Sequence, residues 1–368
     1  MTTPRLNRLA QLLQKAGIDA LVLNPGPSLT YLTGMHFHLM ERPTMAFFTP
    51  NGVTTLVMAE LEALKAQGLP FATQLFTYND DPSTWASVYT QAVKAAGLDG
   101  KTIGLEPTRL RVLELRLLES STPHARFVSA QDSLAALRMQ KDAAEIAAMR
   151  QAVKIAQNGL QAALPMVKPG VSERELASEL VLQLLRAGSD SEFPFSPIVA
   201  GGPNSANPHA MPTDRKLVAG DMLVVDWGAT VDGYFSDLTR TFAVGMIEKE
   251  MAVIAGLVLN ANAAGRAAAR PGIPAGSVDQ AARAEIERGG YGAQFTHRTG
   301  HGLGMEGHEE PYIFGENKLI LAEGMTFTIE PGIYLRGRGG VRIEDNMVIT
   351  AGGAESLSDM PRPVTVLG

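Results

Sequence analysis

The 368-residue chain contains no cysteine. That excludes disulfides and thiolate metal sites, so any bound metal must be held by oxygen and imidazole, a donor set suited to manganese, cobalt or zinc. No run of 18 apolar residues occurs, and no membrane span is expected. The segment 1–17 has a polar-apolar helix pattern without a signal-peptide core, which points to the cytoplasm. Basic charge is also in deficit. Lysine and arginine number 32 against 38 acids, giving a net charge of −6 that disfavours nucleic acid or an anionic membrane as the main partner. No Gly-rich phosphate loop, His-Glu-x-x-His helix or Gly-x-Ser-x-Gly elbow occurs in the required context. What remains is an ordinary globular composition, 45% hydrophobic and 19% charged, long enough for two domains.

The first part alternates helix and strand. Leu6, Leu9, Leu12 and Leu13 recur at helical spacing until Gly17, and 19–24 reads as a buried strand broken by Pro25-Gly26-Pro27. Strands at 45–49 and 53–58 flank Asn51-Gly52, a hairpin signal. Helix patterns at 60–67, 84–96 and 108–119, with strands at 102–105 and 126–129, complete an α/β domain over 1–138. A boundary near 138–142 opens a second domain, 139–368. There a long alanine-rich helix, 141–164, is stopped by Pro165, and Ser172-Glu173-Arg174-Glu175 forms a capping box for a helix reaching 187. Lys168-Pro169-Gly170-Val171 is echoed by Arg270-Pro271-Gly272-Ile273, each between helical patterns and each followed by a loop and strands. The pattern predicts a duplicated helix–helix–strand unit with pseudo-twofold symmetry in α+β order.

Five side chains stand out in this second part: Asp226, Asp237, His301, Glu330 and Glu344. Asp226 follows four apolar residues, and Asp232-Gly233 marks a tight turn beyond it. A two-residue turn sets Val231 opposite Tyr234 and Asp226 opposite Thr239, with Asp237 a diagonal neighbour about 7–8 Å away on the same face. Read alone, the pair is equally a turn aspartate and a strand-edge aspartate. His301 lies in Gly300-His301-Gly302-Leu303-Gly304, where glycines permit close approach. A lone histidine there is more often structural. Three of the chain's seven histidines, His297, His301 and His308, fall close together, which favours function. Glu330 ends an apolar strand before Pro331-Gly332. Arg342 and Glu344, two apart on a strand, form either a same-face salt bridge or an arginine orienting a ligand carboxylate. His209, in a Gly/Pro/Asn-rich stretch, reads as a surface-loop histidine. Four carboxylates gathered in one site cannot all stay ionised without compensation. Two divalent cations sharing a hydroxide would supply it, as in a hydrolytic two-metal centre.

In order and spacing these segments closely resemble the pita-bread metallopeptidases, the family of methionine aminopeptidase, aminopeptidase P, prolidase and creatinase. The resemblance is carried by Asp226, eleven residues to Asp237, Gly-His301-Gly-x-Gly, Thr-Ile-Glu330-Pro-Gly and Arg342-Ile-Glu344-Asp. The region before 139 is similar to the creatinase-type N-terminal domain of the proline-specific branch. The resemblance implies that Asp226 chelates one ion, that His301 and Glu330 hold the other, and that Asp237 and Glu344 bridge them. It implies manganese first, with cobalt or zinc as substitutes, and a homodimer. His308 would donate to the oxyanion, His209 would line the proline side, and His297 would be a further pocket histidine. The implied reaction is attack of the bridging hydroxide on a Xaa–Pro carbonyl, with Glu330 carrying the proton to the leaving nitrogen.

The implied substrate is a proline-containing di- or oligopeptide. A prolidase needs a cation for the carboxylate just beyond proline, commonly an arginine shortly after the histidine that His308 matches. None occurs between Glu309 and Arg336. Arg336, Arg338 and Arg42 are the candidates, Arg42 through a partner subunit. Prolidase is the preferred reading and aminopeptidase P the alternative. Methionine aminopeptidase is disfavoured by the N-terminal domain. A metal-independent creatinase-like hydrolase or a non-catalytic binding module is disfavoured by the complete ligand set.

Overall fold

A computed structural model describes residues 3–50 and 52–368. The chain divides into two compact units, Met1–Arg138 and Met139–Gly368.

The first unit comprises α1 (Pro4–Ala16), β1 (Ala20–Leu23), α2 (Pro27–Thr33), β2 (Met45–Phe48), β3 (Thr54–Ala59), β4 (Thr73–Tyr78), α3 (Trp85–Ala96), β5 (Thr102–Leu105), α4 (Val112–Ser121), β6 (Arg126–Ser129) and α5 (Gln131–Arg138). Its six strands form one mixed sheet in the order β4-β3-β2-β1-β5-β6. Helix α1 starts where Thr3 accepts a hydrogen bond from the Leu6 amide, buries Leu6, Leu9 and Leu13, and ends at Gly17 in the left-handed region. Strands β2 and β3 pair antiparallel as expected from the Asn51-Gly52 signal, although Asn51 itself lies outside the described residues. Two expectations shift. The 60–67 helix is a 3-10 helix, Glu60–Ala66, with no buried residue, so no apolar face pins it as an α-helix. The 108–119 helix begins only at Val112, because the Arg109 and Leu110 amides both turn back to the Glu106 carbonyl.

The second unit opens with α6 (Ala143–Ala163) and α7 (Glu173–Arg186), followed by β7 (Ile198–Gly201), β8 (Met222–Trp227), the short pair β9 (Thr230–Val231) and β10 (Tyr234–Phe235), and β11 (Leu238–Val244). Helices α8 (Lys249–Ala268) and α9 (Gly276–Arg288) come next. Strands β12 (Gly300–Gly302), β13 (Glu309–Ile313), β14 (Thr326–Ile329), β15 (Gly332–Leu335), β16 (Gly339–Arg342), β17 (Asp345–Thr350), β18 (Gly353–Ser356) and β19 (Thr365–Leu367) finish the chain. Capping boxes start α6 (Asp142 with Glu145) and α7 (Ser172 with Glu175). Pro165 lies in a 3-10 turn just after α6.

The duplication read from the Pro-Gly echo is present in the backbone. Gly170 and Gly272 both adopt positive φ, +91° and +85°, which glycine reaches without strain. Their amides donate to Leu217 (2.9 Å) and Leu321 (2.8 Å), and each of those leucines donates back to the residue after the glycine, Val171 or Ile273. Matching isolated bridges follow, Ser172 with Lys216 and Pro274 with Ile320. Helix α6 packs on α7 and α8 on α9. Each half thus supplies a helix pair and a sheet: β19-β11-β8-β7 in one, β13-β12-β14-β17-β18 in the other.

Two apolar cores hold these layers. Trp227 is wholly buried in the first, its indole N–H donating to the Ala156 carbonyl (2.8 Å) and so tying β8 to α6. Its removal would cost about 3–5 kcal/mol. Among the described residues α8 alone is long and apolar enough to cross a membrane. Here it is a core helix: Ile254, Val258 and Ala261 are fully buried, and Asn262 donates to the Ile329 carbonyl (3.1 Å).

Candidate metal centre

Each carboxylate or imidazole of the motif set is placed by a local backbone device. The β9–β10 turn carries Asp232 at φ +52° and Gly233 at φ +75°, the mirror-image turn that suits a tight hairpin. Val231 then pairs with Tyr234 and Asp226 with Thr239, the register expected from sequence. Asp237 falls one residue before β11, on the Asp226 side. His301 sits on β12 between two glycines that have no room for a side chain. A Cβ on Gly300 would lie 1.9 Å from the Thr328 carbonyl oxygen, and one on Gly302 2.3 Å from that of Glu310. Glu330 follows β14, its amide bound to the Thr299 carbonyl (2.7 Å). Glu344 lies between β16 and β17, its amide bound to the Thr239 carbonyl (3.1 Å) and one carboxylate oxygen accepting from Thr239 Oγ1 (2.7 Å).

These five side chains converge. Ligand atoms of Asp237, His301 and Glu344 all lie within 4.8 Å of one another. His301 Nε2 is 3.3 Å from Glu330 Oε1 and 3.7 Å from Asp237 Oδ2. His301 Nδ1 is 3.1 Å from the Gly302 carbonyl. A proton on Nδ1 satisfies that contact and leaves Nε2 as a lone-pair donor toward the acids. Burial, then the charge of Asp226, drives the Asp237 carboxyl well above its ordinary pKa; burial, then the charge of Asp237, does the same to Glu344. Burial also raises Asp226, although the Arg342 charge opposes it. Glu330 is the exception. Burial pushes it up, but the adjacent His301 ring and the Arg342 charge prevail and bring it to about 2. Asp226 Oδ1 is buried without a hydrogen-bond partner. An orphaned carboxylate oxygen, crowded acids lacking compensation and an all-oxygen-and-imidazole donor set fit divalent cations.

Arg342 organises the inner wall, and here the sequence reading is corrected. Its ion pair is with Asp226 (Nη2 to Oδ2, 2.6 Å) rather than with Glu344, because β16 ends at Arg342 and the chain turns before Glu344. It reaches Glu344 only through Thr239, whose Oγ1 accepts from Arg342 Nε (3.1 Å) and donates to the glutamate. Arg342 Nη1 donates to the Tyr334 hydroxyl (2.9 Å), and that hydroxyl is 2.9 Å from His297 Nε2. His297 Nδ1 faces the Arg298 carbonyl at 2.7 Å, which fixes its proton on Nδ1 and makes Tyr334 the donor to Nε2. Burial lowers the His297 pKa.

A cavity of about 740 Å³ opens over the centre, and His209, His297, Arg298 and His308 line it. His209 is exposed on its loop. The His308 ring packs on His301, with centroids 3.8 Å apart. Partial burial, with the nearby His301 and Arg298, lowers the His308 pKa to about 4. The arginines proposed for a substrate carboxylate are not among the lining residues. Arg336 and Arg338 are exposed, and Arg338 pairs with Glu250 (2.7 Å). Arg42, in the first unit, pairs with Asp80 (2.6 Å) and Glu41 (2.8 Å). Sequence reasoning missed Arg298, Tyr334 and Thr239. Arg298 directly follows His297, so the histidine cluster was itself the signal; Tyr334 and Thr239 carried none.

Residues 147–351 match the model of metallopeptidase family M24, and residues 5–140 match that of the creatinase/prolidase N-terminal domain. A Xaa-Pro dipeptidase of Lactobacillus delbrueckii subsp. lactis is 32% identical over 363 residues, 98% of each chain. The crystal structure of a dipeptidase from Pyrococcus horikoshii OT3 superposes with a TM-score of 0.92 at 36% identity, covering 99% of this chain and 100% of that one. That of a prolidase from Thermococcus sibiricus gives 0.93 at 33% identity, covering 99% and 98%. The converged acids and histidine therefore lie in a pita-bread domain preceded by a creatinase-type domain, and the chain belongs to metallopeptidase family M24.

Proposed function

We propose that this chain is a prolidase, hydrolysing Xaa-Pro dipeptides with two divalent ions held by Asp226, Asp237, His301, Glu330 and Glu344. Bound ions would polarise the scissile carbonyl and lower the pKa of the attacking water. The chain's own groups supply the rest. Glu330, in the cavity wall beside His301, would take the water's proton and pass it to the leaving imino nitrogen. His308 Nδ1 faces Arg298 Nη2 at 3.3 Å. An arginine only donates, so His308 Nδ1 accepts and the ring proton resides on Nε2, free to donate to a developing oxyanion. The His297–Tyr334–Arg342 chain orients Asp226, and His209 covers the proline side of the cavity.

The observation that carries the dipeptide reading is Arg298. Its guanidinium stacks on Tyr312 (4.2 Å) beside His308 in the cavity wall, and no ion pair to a carboxylate is present for it among the described residues. A cation in the cavity wall that is not ion-paired among the described residues suits the carboxylate that follows proline in a dipeptide. A cavity of about 740 Å³ also has room for a longer chain, so Xaa-Pro aminopeptidase activity is the second reading. Manganese as the resident ion, a homodimer and a cytoplasmic address complete the proposal, supported by the donor set, the resemblance and the cysteine-free composition respectively. The test is cleavage of Ala-Pro and Ala-Pro-Ala by chelator-stripped protein with manganese, cobalt or zinc returned separately. Preference for Ala-Pro with restored activity is expected. Full activity after stripping would refute the metal requirement, and preference for Ala-Pro-Ala would favour the second reading.

A further inference from the structure

Among the side chains that join the two halves of the M24 domain behind the centre is Asn346, which is wholly buried. The Asp237 amide donates to Asn346 Oδ1 (3.0 Å), and Asn346 Nδ2 donates back to the Asp237 carbonyl. Strand β11 begins only at Leu238, so these two backbone groups have a side-chain amide where a strand would otherwise pair. Two residues along, the Thr239 carbonyl is met by the Glu344 amide. Asn346 is itself fixed in the β14–β17 ladder opposite Thr328. A single short segment, 344–346, therefore carries one acid of the centre and grips the backbone of another.

We propose that Asn346 is a positioning residue that sets Asp237 against Glu344, so that carboxylates from the two halves are correctly spaced before any cation arrives. The chemistry requires an amide. Only a group with both a donor and an acceptor satisfies the N–H and C=O of Asp237 together. A carboxylate would lack the donor and add charge beside acids already crowded. Outer-shell groups of this kind typically govern metal affinity by about 10–100-fold. The inference rests on the metal-centre reading above.

The test is titration of chelator-stripped full-length protein with manganese alone, for wild type, Asn346→Ala and Val348→Ala. Val348 lies two residues on in the same strand, buried in the apolar core, and serves as the comparator for loss of stability alone. Asn346→Ala should bind manganese about 10–100-fold more weakly, while Val348→Ala keeps wild-type affinity whatever its melting temperature. Equal binding by wild type and Asn346→Ala would overturn the inference and leave the metal centre standing. Parallel losses in both variants would also overturn it. A wild type that binds no manganese would remove the centre itself. Should Asn346→Ala fail to fold, amide exchange in metal-free wild type decides. Protection of the Asp237 amide equal to that of the β11 ladder amides supports the clamp, and exchange at the rate of an open amide overturns it.

Discussion

On the proposed dipeptidase reading, replacing Arg298 should separate recognition of a dipeptide from the chemistry performed on it. The guanidinium is half-buried, stacked on Tyr312 and in contact with His308. A charge-assisted hydrogen bond contributes about 1.5–3 kcal/mol, and partial exposure places this one toward the lower end. At about 1.4 kcal/mol per decade, Arg298→Ala should lower kcat/KM for Ala-Pro about 10–30-fold, mostly through KM because the carboxylate is held equally in ground and transition states. Ala-Pro-amide, which lacks that carboxylate, is the internal control and should lose little. Arg298→Lys keeps the charge but loses the planar fork and the stacking, and should fall between. Steady-state kinetics on both substrates with the same metal preparation suffices. An equal loss on Ala-Pro and its amide would assign Arg298 to His308 instead of to substrate, and no loss on either would refute the reasoning.

Asp237→Asn should reduce activity by more than about 100-fold, beyond the usual cost of an outer-shell change, with an unchanged circular dichroism spectrum; normal activity with full metal occupancy would unseat Asp237 as a ligand. Tyr334→Phe removes the buried hydroxyl joining His297 to the charged Arg342 and, at about 1–2 kcal/mol for buried partners left unpaired, should cost several-fold to about 30-fold in kcat/KM, with a lowered melting temperature. Gly300→Ala drives a Cβ into the Thr328 carbonyl and should destabilise by more than about 3 kcal/mol in urea unfolding, above ordinary overpacking because backbone is the obstacle. Glu175, capping α7 and paired with Lys216, is held at about 2, below its ordinary 4.5, chiefly by the Ser172 amide. A depressed folded pKa stabilises above the unfolded value, so the melting-temperature gap between wild type and Glu175→Gln should be full at neutral pH and close as pH falls from 4.5 toward 2. A gap independent of pH would contradict this.

Local chemistry decided what could be read in advance. Asp232-Gly233 announced its turn, and with the turn came the register that aligned Asp226 and Asp237. The paired Pro-Gly segments disclosed the duplication, because a left-handed glycine is needed at both. What escaped was set by distant partners. Strand β4 presents a largely exposed face and shows no clear alternation, and α2 begins at Pro27, which reads as a break unless the chain ahead is known to be helical. Arg342 was matched to the acid nearest in sequence, whereas its partner Asp226 lies across the sheets in the other half. Arg298 precedes His301, whereas the family pattern places a carboxylate-binding arginine after the position of His308.

The division of the ligands between the halves has a consequence for biogenesis. On the proposed ligand assignment, a nascent polypeptide that has emerged through Val244 carries Asp226 and Asp237 but not His301, and the remaining three ligands follow only from His301 onward. Cation capture is then a late event in synthesis and cannot template the earlier half. Messages truncated before Glu344 should yield products that supplementation with metal salts does not rescue.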